Sequence, residues 1–191
     1  MQVSEETDQS LTVIAIDGSP TAGGRTRAAL DAVSSAVVAA GASLETIALG
    51  GDGGGVEHAV EALAGADAVV LASPVYRASS ATPLKQLLDA IPRSGTAPLE
   101  SPLCGKAVAI VYTGASLHHF LALDSLRSVL VGFFAAHVVP PGLYVPRDAF
   151  DEDLKLRDPY AEHAHRQGAA LVELACALRR SPVLRSLRPQ A

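Results

Sequence analysis

Residues 66–92 read ADAVVLASPVYRASSATPLKQLLDAIP. The run Ala68–Ala72, built on Val69, Val70 and Leu71, has the character of a strand covered on both faces. Ser73-Pro74-Val75-Tyr76 is expected to be a turn. Beyond it Leu84, Leu87, Leu88 and Ile91 recur at three- and four-residue steps, so a helix follows. Thr82 is placed as its N-cap and Pro83 at its first position, where a missing N–H costs nothing. Pro92 ends the helix at or before Ile91. The unit is strand, loop, helix, and its loop lies where open α/β sheets bind ligands.

The same alternation extends outward on both sides. Leu11–Ile16 is an apolar strand, followed by the glycine-rich turn Asp17–Gly24 and a helix from about Arg25 to Ala40. Ser43–Leu49 is a second strand, Gly50–Gly55 a polar loop, and Val56–Ala64 a short helix. After the central unit come a loop over Ser94–Pro102, a strand at Lys106–Tyr112 and a loop at Thr113–Ser116. Leu117–Phe134 is expected to be one strongly apolar helix, buried in the domain, in a subunit contact, or both. Ala135–Val139 is the fifth strand, Leu143–Val145 an edge segment, and Tyr160–Arg180 the last helix. This pattern predicts a flavodoxin-like three-layer α/β sandwich with five parallel strands in the order 2-1-3-4-5. One domain is expected over 11–180, with tails at 1–10 and 181–191.

Composition narrows the function. The chain has 191 residues, 49% of them hydrophobic, which supports one well-filled core. Its net charge of −5 does not suit a dedicated nucleic-acid binder. The two cysteines form neither a disulfide framework nor a zinc spacing, and the histidines form no metal set. The start MQVSEETDQS is polar and acidic, and no apolar run is long enough for a membrane helix, so a soluble cytoplasmic protein is expected.

Three loops carry the candidate chemistry. The first opens a helix, where backbone N–H groups suit a phosphate; Ser19 and Thr26 add hydroxyls and Arg25 a guanidinium. An ordinary β-to-α turn is the alternative. The loop has neither GxGxxG nor GxxxxGK[ST], since Gly18 and Gly23 are followed by Gly24-Arg25, so a mononucleotide phosphate is favoured over ATP. In the second loop Pro74 stiffens the chain and Tyr76 offers a ring, as packing or beside a flat cofactor, while Arg77 can attract an anion. In the third, Gly114 permits close approach of a ligand. Ser116 lies near His118 and His119, but the GxSxG elbow of serine hydrolases is not completed.

Taken together, Gly18-Ser19-Pro20 with Arg25-Thr26, Ser73-Pro74-Val75-Tyr76 and Leu84–Asp89 resemble the NAD(P)H-dependent FMN reductase family. The segment TGASLHHFLALDSLRSVL resembles its branch of flavin reductases from alkanesulfonate monooxygenase systems. The resemblance leaves out Gly50–Gly55 and the segment around Pro141–Asp158. It implies that Ser19, Arg25 and Thr26 hold the FMN phosphate, that Pro74, Val75, Tyr76 and Arg77 cradle the flavin, and that Thr113, Gly114, Ala115 and Ser116 approach its ring from the other side. It implies FMN with NADPH or NADH, a small-molecule redox substrate, a homodimer or homotetramer and, in that branch, a monooxygenase partner. The expected activity is hydride transfer from reduced nicotinamide to FMN and on to a flavin, quinone or other small acceptor. A flavodoxin-type electron carrier and a domain that has lost its cofactor are the rivals. Two departures stand out. The run Leu123–Arg127 lacks the inserted tyrosine of the sulfonate-system reductases, which favours retention of FMN over release. Gly24 replaces the family's usual serine, which removes one phosphate donor.

Overall fold

The computed structural model describes residues 10–50, 55–92 and 101–189. Strand β1 (Thr12–Asp17) pairs in parallel with β2 (Ser43–Ala48) on one side and with β3 (Ala68–Tyr76) on the other. A two-residue strand β4 (Ser79–Ser80) folds back antiparallel on β3. Strand β5 (Ala107–Gly114) is parallel to β3, and β6 (His137–Val138) and β7 (Leu143–Pro146) are both parallel to β5. The order across the sheet is β2-β1-β3-β5-β6, with β7 following β6 along the same edge of β5. That is the expected flavodoxin-like order, with seven strands where five were expected. The fifth position is split at Pro140-Pro141, because neither proline can donate to the ladder.

Alternation along the strands builds two cores. On one face Val13, Ala15, Ala68, Val70, Ala72, Ala107, Ala109 and Val111 meet α1 (Arg25–Ala39) and α5 (Tyr160–Arg179). Small side chains on that face let the two helices approach the sheet closely. On the other, Ile14, Ile16, Val69, Leu71, Val108, Ile110 and Tyr112 meet α2 (Gly55–Gly65), α3 (Thr82–Ala90) and α4 (Ala122–Phe134). Full burial on both faces explains why the central strands are continuous apolar runs.

Four local expectations are corrected. Ser73–Tyr76 is not a turn: β3 runs through it because Ser73 and Pro74 pair with Tyr112 and Thr113, and Val75 and Tyr76 with Ser80 and Ser79. The reversal falls at Arg77 and Ala78, whose φ angles are 51° and 61°. Thr82 does not cap α3. Ala81 is the cap residue, and its N–H donates to Ser73 Oγ at 2.9 Å. Thr113 and Gly114 belong to β5 and not to a loop, since Val145 and Pro146 of β7 extend the ladder beside them. Leu117–Phe134 is not one helix: a 3-10 turn at Leu117–His119 precedes α4, which is α-helical throughout.

Residues 51–54, 94–100 and 1–9, read as loops and a tail, lie outside the described residues. In the expected C-terminal tail, Pro182–Arg185 forms a short helix α6. His137 Nε2 donates to the Leu184 carbonyl at 3.0 Å, and the Cys104 thiol to that of Leu187 at 3.4 Å. No helix among the described residues is long and apolar enough to cross a membrane.

Candidate functional site

Sheet register brings the three segments together. Asp17 lies beside Ala72, and Pro74 beside Thr113, so the carboxyl ends of β1, β3 and β5 are neighbours. They surround a cleft of about 420 Å³.

The first wall is the turn after β1. Gly18 N–H donates to the Ala72 carbonyl at 2.8 Å, drawing the turn against β3. A Cβ at Gly18 would come within 2.7 Å of that oxygen and 2.8 Å of Leu84 Cβ, so only glycine fits. Ser19 N–H donates to Asp17 Oδ1 at 3.0 Å, and Thr21 N–H to Ser19 Oγ at 3.3 Å. Asp17 is buried, and that burial raises its carboxyl above the ordinary value, with the Ser19 bond and Arg27 offsetting part of the rise. Gly24, the N-cap of α1, carries no side chain over the helix end, and a Cβ there would meet open space. Helix N–H groups, three hydroxyls (Ser19, Thr21 and Thr26) and Arg25 therefore border the same corner.

Hydroxyls join this wall to the opposite one. Thr26 Oγ1 and Thr113 Oγ1 are 2.7 Å apart and both residues are buried. Beyond Thr113, Gly114 leaves room for Tyr144, since a Cβ at Gly114 would sit 1.8 Å from the Tyr144 hydroxyl. That hydroxyl donates to the Ser116 carbonyl at 2.7 Å and so holds the chain after β5 in place. Burial raises the Tyr144 phenol. The third wall is Pro74, Val75 and Tyr76, with Tyr76 57% exposed as an aromatic ring at the mouth.

Of the residues singled out from sequence, Ser19, Arg25, Thr26, Pro74, Val75, Tyr76, Thr113, Gly114 and Ala115 line this cleft. Arg77 and Ser116 do not. Arg77 sits in the tight reversal beyond Tyr76, and Ser116 Oγ lies 3.2 Å from His118 Nδ1. Thr21, Gly24, Arg147 and Leu154 line the cleft without having been proposed as ligands. Arg147 and Leu154 come from the segment between β7 and α5, which carries no motif of its own. Only its place in the sheet, directly after the strand beside Gly114, marks it. The lining includes two arginines and no carboxylate. Among the described residues no group of histidines, cysteines and carboxylates is placed to hold a metal ion.

Hydroxyl donors, a helix N-terminus and a guanidinium suit a phosphate monoester, and the open space at Gly24 leaves room for one. Residues 11–150 match the family model for NADPH-dependent FMN reductase. The chain belongs to this family. The NADH-dependent FMN reductase SfnF of Pseudomonas putida is 37% identical over 93 residues, 49% of this chain and 46% of that protein. The chain thus spans about half the length of that curated relative. Among solved structures, an NADH:FMN oxidoreductase (EMOB) in its apo form superposes with a TM-score of 0.74 at 25% identity, covering 93% of this chain and 95% of that one. A flavodoxin, WrbA-like protein from Agrobacterium tumefaciens gives 0.68 at 18% identity over 88% and 99%, which shows the shared flavodoxin-like fold.

Proposed function

We propose that this protein is an NAD(P)H-dependent FMN reductase that takes hydride from reduced nicotinamide and passes reducing equivalents to a flavin, quinone or other small acceptor. The observation that carries the reading is the convergence of the phosphate-type corner, the Pro74–Tyr76 wall and the Thr113–Ala115 edge on one cleft. Bound FMN would supply the redox chemistry, and the protein supplies placement and electrostatics. Ser19, Thr26, Arg25 and the α1 N-terminus would hold the phosphate. Pro74, Val75 and Tyr76 would line one side of the ring, and Thr113, Gly114 and Ala115 the other. Ser116 and Arg77 would act from just outside, Ser116 through its carbonyl bond to Tyr144. No side chain is required as acid or base.

Two finer features belong to the same proposal. The uninterrupted α-helical α4, without an inserted tyrosine, supports retention of FMN and reduction of the second substrate in place, not delivery to a monooxygenase. The exposed apolar side chains Val129, Val131 and Phe133 on α4, with Leu121 just before it, support a homodimer or homotetramer. The test is anaerobic mixing of the FMN-loaded protein with NADPH and with NADH. Bleaching of the flavin band is expected with at least one of them. A flavin that stays oxidised with both refutes the activity. Gel filtration after reduction then shows whether FMN stays with the protein.

A further inference from the structure

Arg147 is the one cleft cation that the FMN reading leaves without a partner. It follows β7 directly, and Pro146 before it is the register partner of Gly114. β1 carries the phosphate-type corner, and β7 lies three strands away along the sheet, about 14 Å at ~4.8 Å per strand. Arg147 is exposed, borders the cleft and makes no ion pair among the described residues. Arg27, Arg127, Arg166 and Arg179 pair with carboxylates, and of the arginines that do not, only Arg25 and Arg147 line the cleft among the described residues.

The backbone that carries Arg147 is anchored. Ala149 and Phe150 are buried, and the Ala149 carbonyl accepts from Arg157 N–H at 2.9 Å. Phe150 bridges Leu156, and Asp151 Oδ1 accepts from the N–H groups of Asp153 and Lys155 at 3.0 and 2.8 Å. A fixed stem with an unpaired guanidinium at the mouth is suited to an anion that arrives and leaves. The corner on β1 already has enough donors for the three oxygens of one phosphate monoester, and FMN carries only one. The oxidised ring is neutral. The remaining anionic ligand of the reaction is the nicotinamide dinucleotide, with its pyrophosphate and, in NADPH, a 2′-phosphate.

We infer that Arg147 binds a phosphate of the nicotinamide dinucleotide at the cleft mouth and helps set the choice between NADPH and NADH. The inference rests on the proposed FMN reductase reading. It bears on a difference among relatives, because the family is described as NADPH-dependent while SfnF is NADH-dependent.

The test measures equilibrium binding by calorimetry in the wild type and in Arg147→Gln. FMN is titrated into the apoprotein, then NADP⁺ and NAD⁺, which are redox-inert here, into the FMN-loaded protein. A charge-assisted contact at a half-open site predicts a loss of about tenfold in dinucleotide affinity, with FMN affinity within about threefold. Loss for NADP⁺ alone assigns the 2′-phosphate, and equal loss for both assigns the pyrophosphate. Dinucleotide affinity unchanged in Arg147→Gln overturns the inference, as does a tenfold loss of FMN affinity, which would give Arg147 to the flavin. A wild type that binds no FMN at all refutes the underlying reading instead.

Discussion

The contact between Thr26 and Thr113 allows a quantitative test of how the site is held together. It joins the first turn of α1 to the end of β5, 87 residues apart in sequence, through two buried hydroxyls 2.7 Å from each other. Replacing either threonine by valine keeps the shape and strands the other hydroxyl. A buried polar group left unpaired costs about 1–3 kcal/mol, so each single variant should lose about 1.5 kcal/mol. The double variant places methyl against methyl. It should lose far less than the sum, and the coupling energy should be about 1–2 kcal/mol. Urea unfolding of the FMN-free protein reads this directly. At a slope of roughly 2 kcal/mol per molar, each single variant should lower the midpoint by about 0.7 M, and the double variant should recover much of that. Single losses that add to within about 0.5 kcal/mol would refute the reasoning, because they would show that the hydroxyls do not depend on each other. Two wild-type-like single variants would refute it equally.

Other outcomes follow from neighbouring features. Gly114→Ala should push the Tyr144 ring aside and break its bond to the Ser116 carbonyl, weakening FMN binding about tenfold or more in a fluorescence titration; Tyr144→Phe, which loses the bond without the clash, should do so by less. Tyr112 is fully buried, and that burial pushes its phenol up to about 12 from 10.0, against a smaller lowering by Ser80. The unfolded chain therefore releases this proton first, and stability should fall between those values as pH rises. Tyr112→Phe should flatten that part of the stability profile, and an unchanged slope would count against the burial argument.

Much of the fold is legible in local pattern. Apolar runs of five or six residues alternating with helical periodicity fit strands buried on both faces of a parallel sheet covered by helices on two sides. Helix α1 is expected to begin at Arg25 and to end one residue later than it does, and the observed strand order is the flavodoxin-like one that the alternation fits. Glycine and hydroxyl residues after β1 marked a phosphate-type corner because that chemistry is local to one turn.

Other features depend on long-range pairing, which local pattern does not carry. Ser73–Tyr76 has the composition of a turn, yet it is strand because Ser73 and Pro74 pair with Tyr112 and Thr113 of β5, and Ser79 and Ser80 return to pair with Tyr76 and Val75. The reversal uses Arg77 and Ala78 at positive φ, where a sequence reading looks for glycine or asparagine. Thr113 is strand because Pro74 of β3 pairs with it on one side and Val145 of β7 on the other, and Gly114 because Pro146 of β7, some 30 residues on, lies beside it. The same pairing delivers Arg147 to the cleft. A hydrophobic period records which face of an element is buried, whereas the partner across a sheet edge is chosen by the packed whole. For that reason Ser19, Arg25 and Thr26 could be singled out in one dimension, and the place of Arg147 on the same cleft appeared only in three.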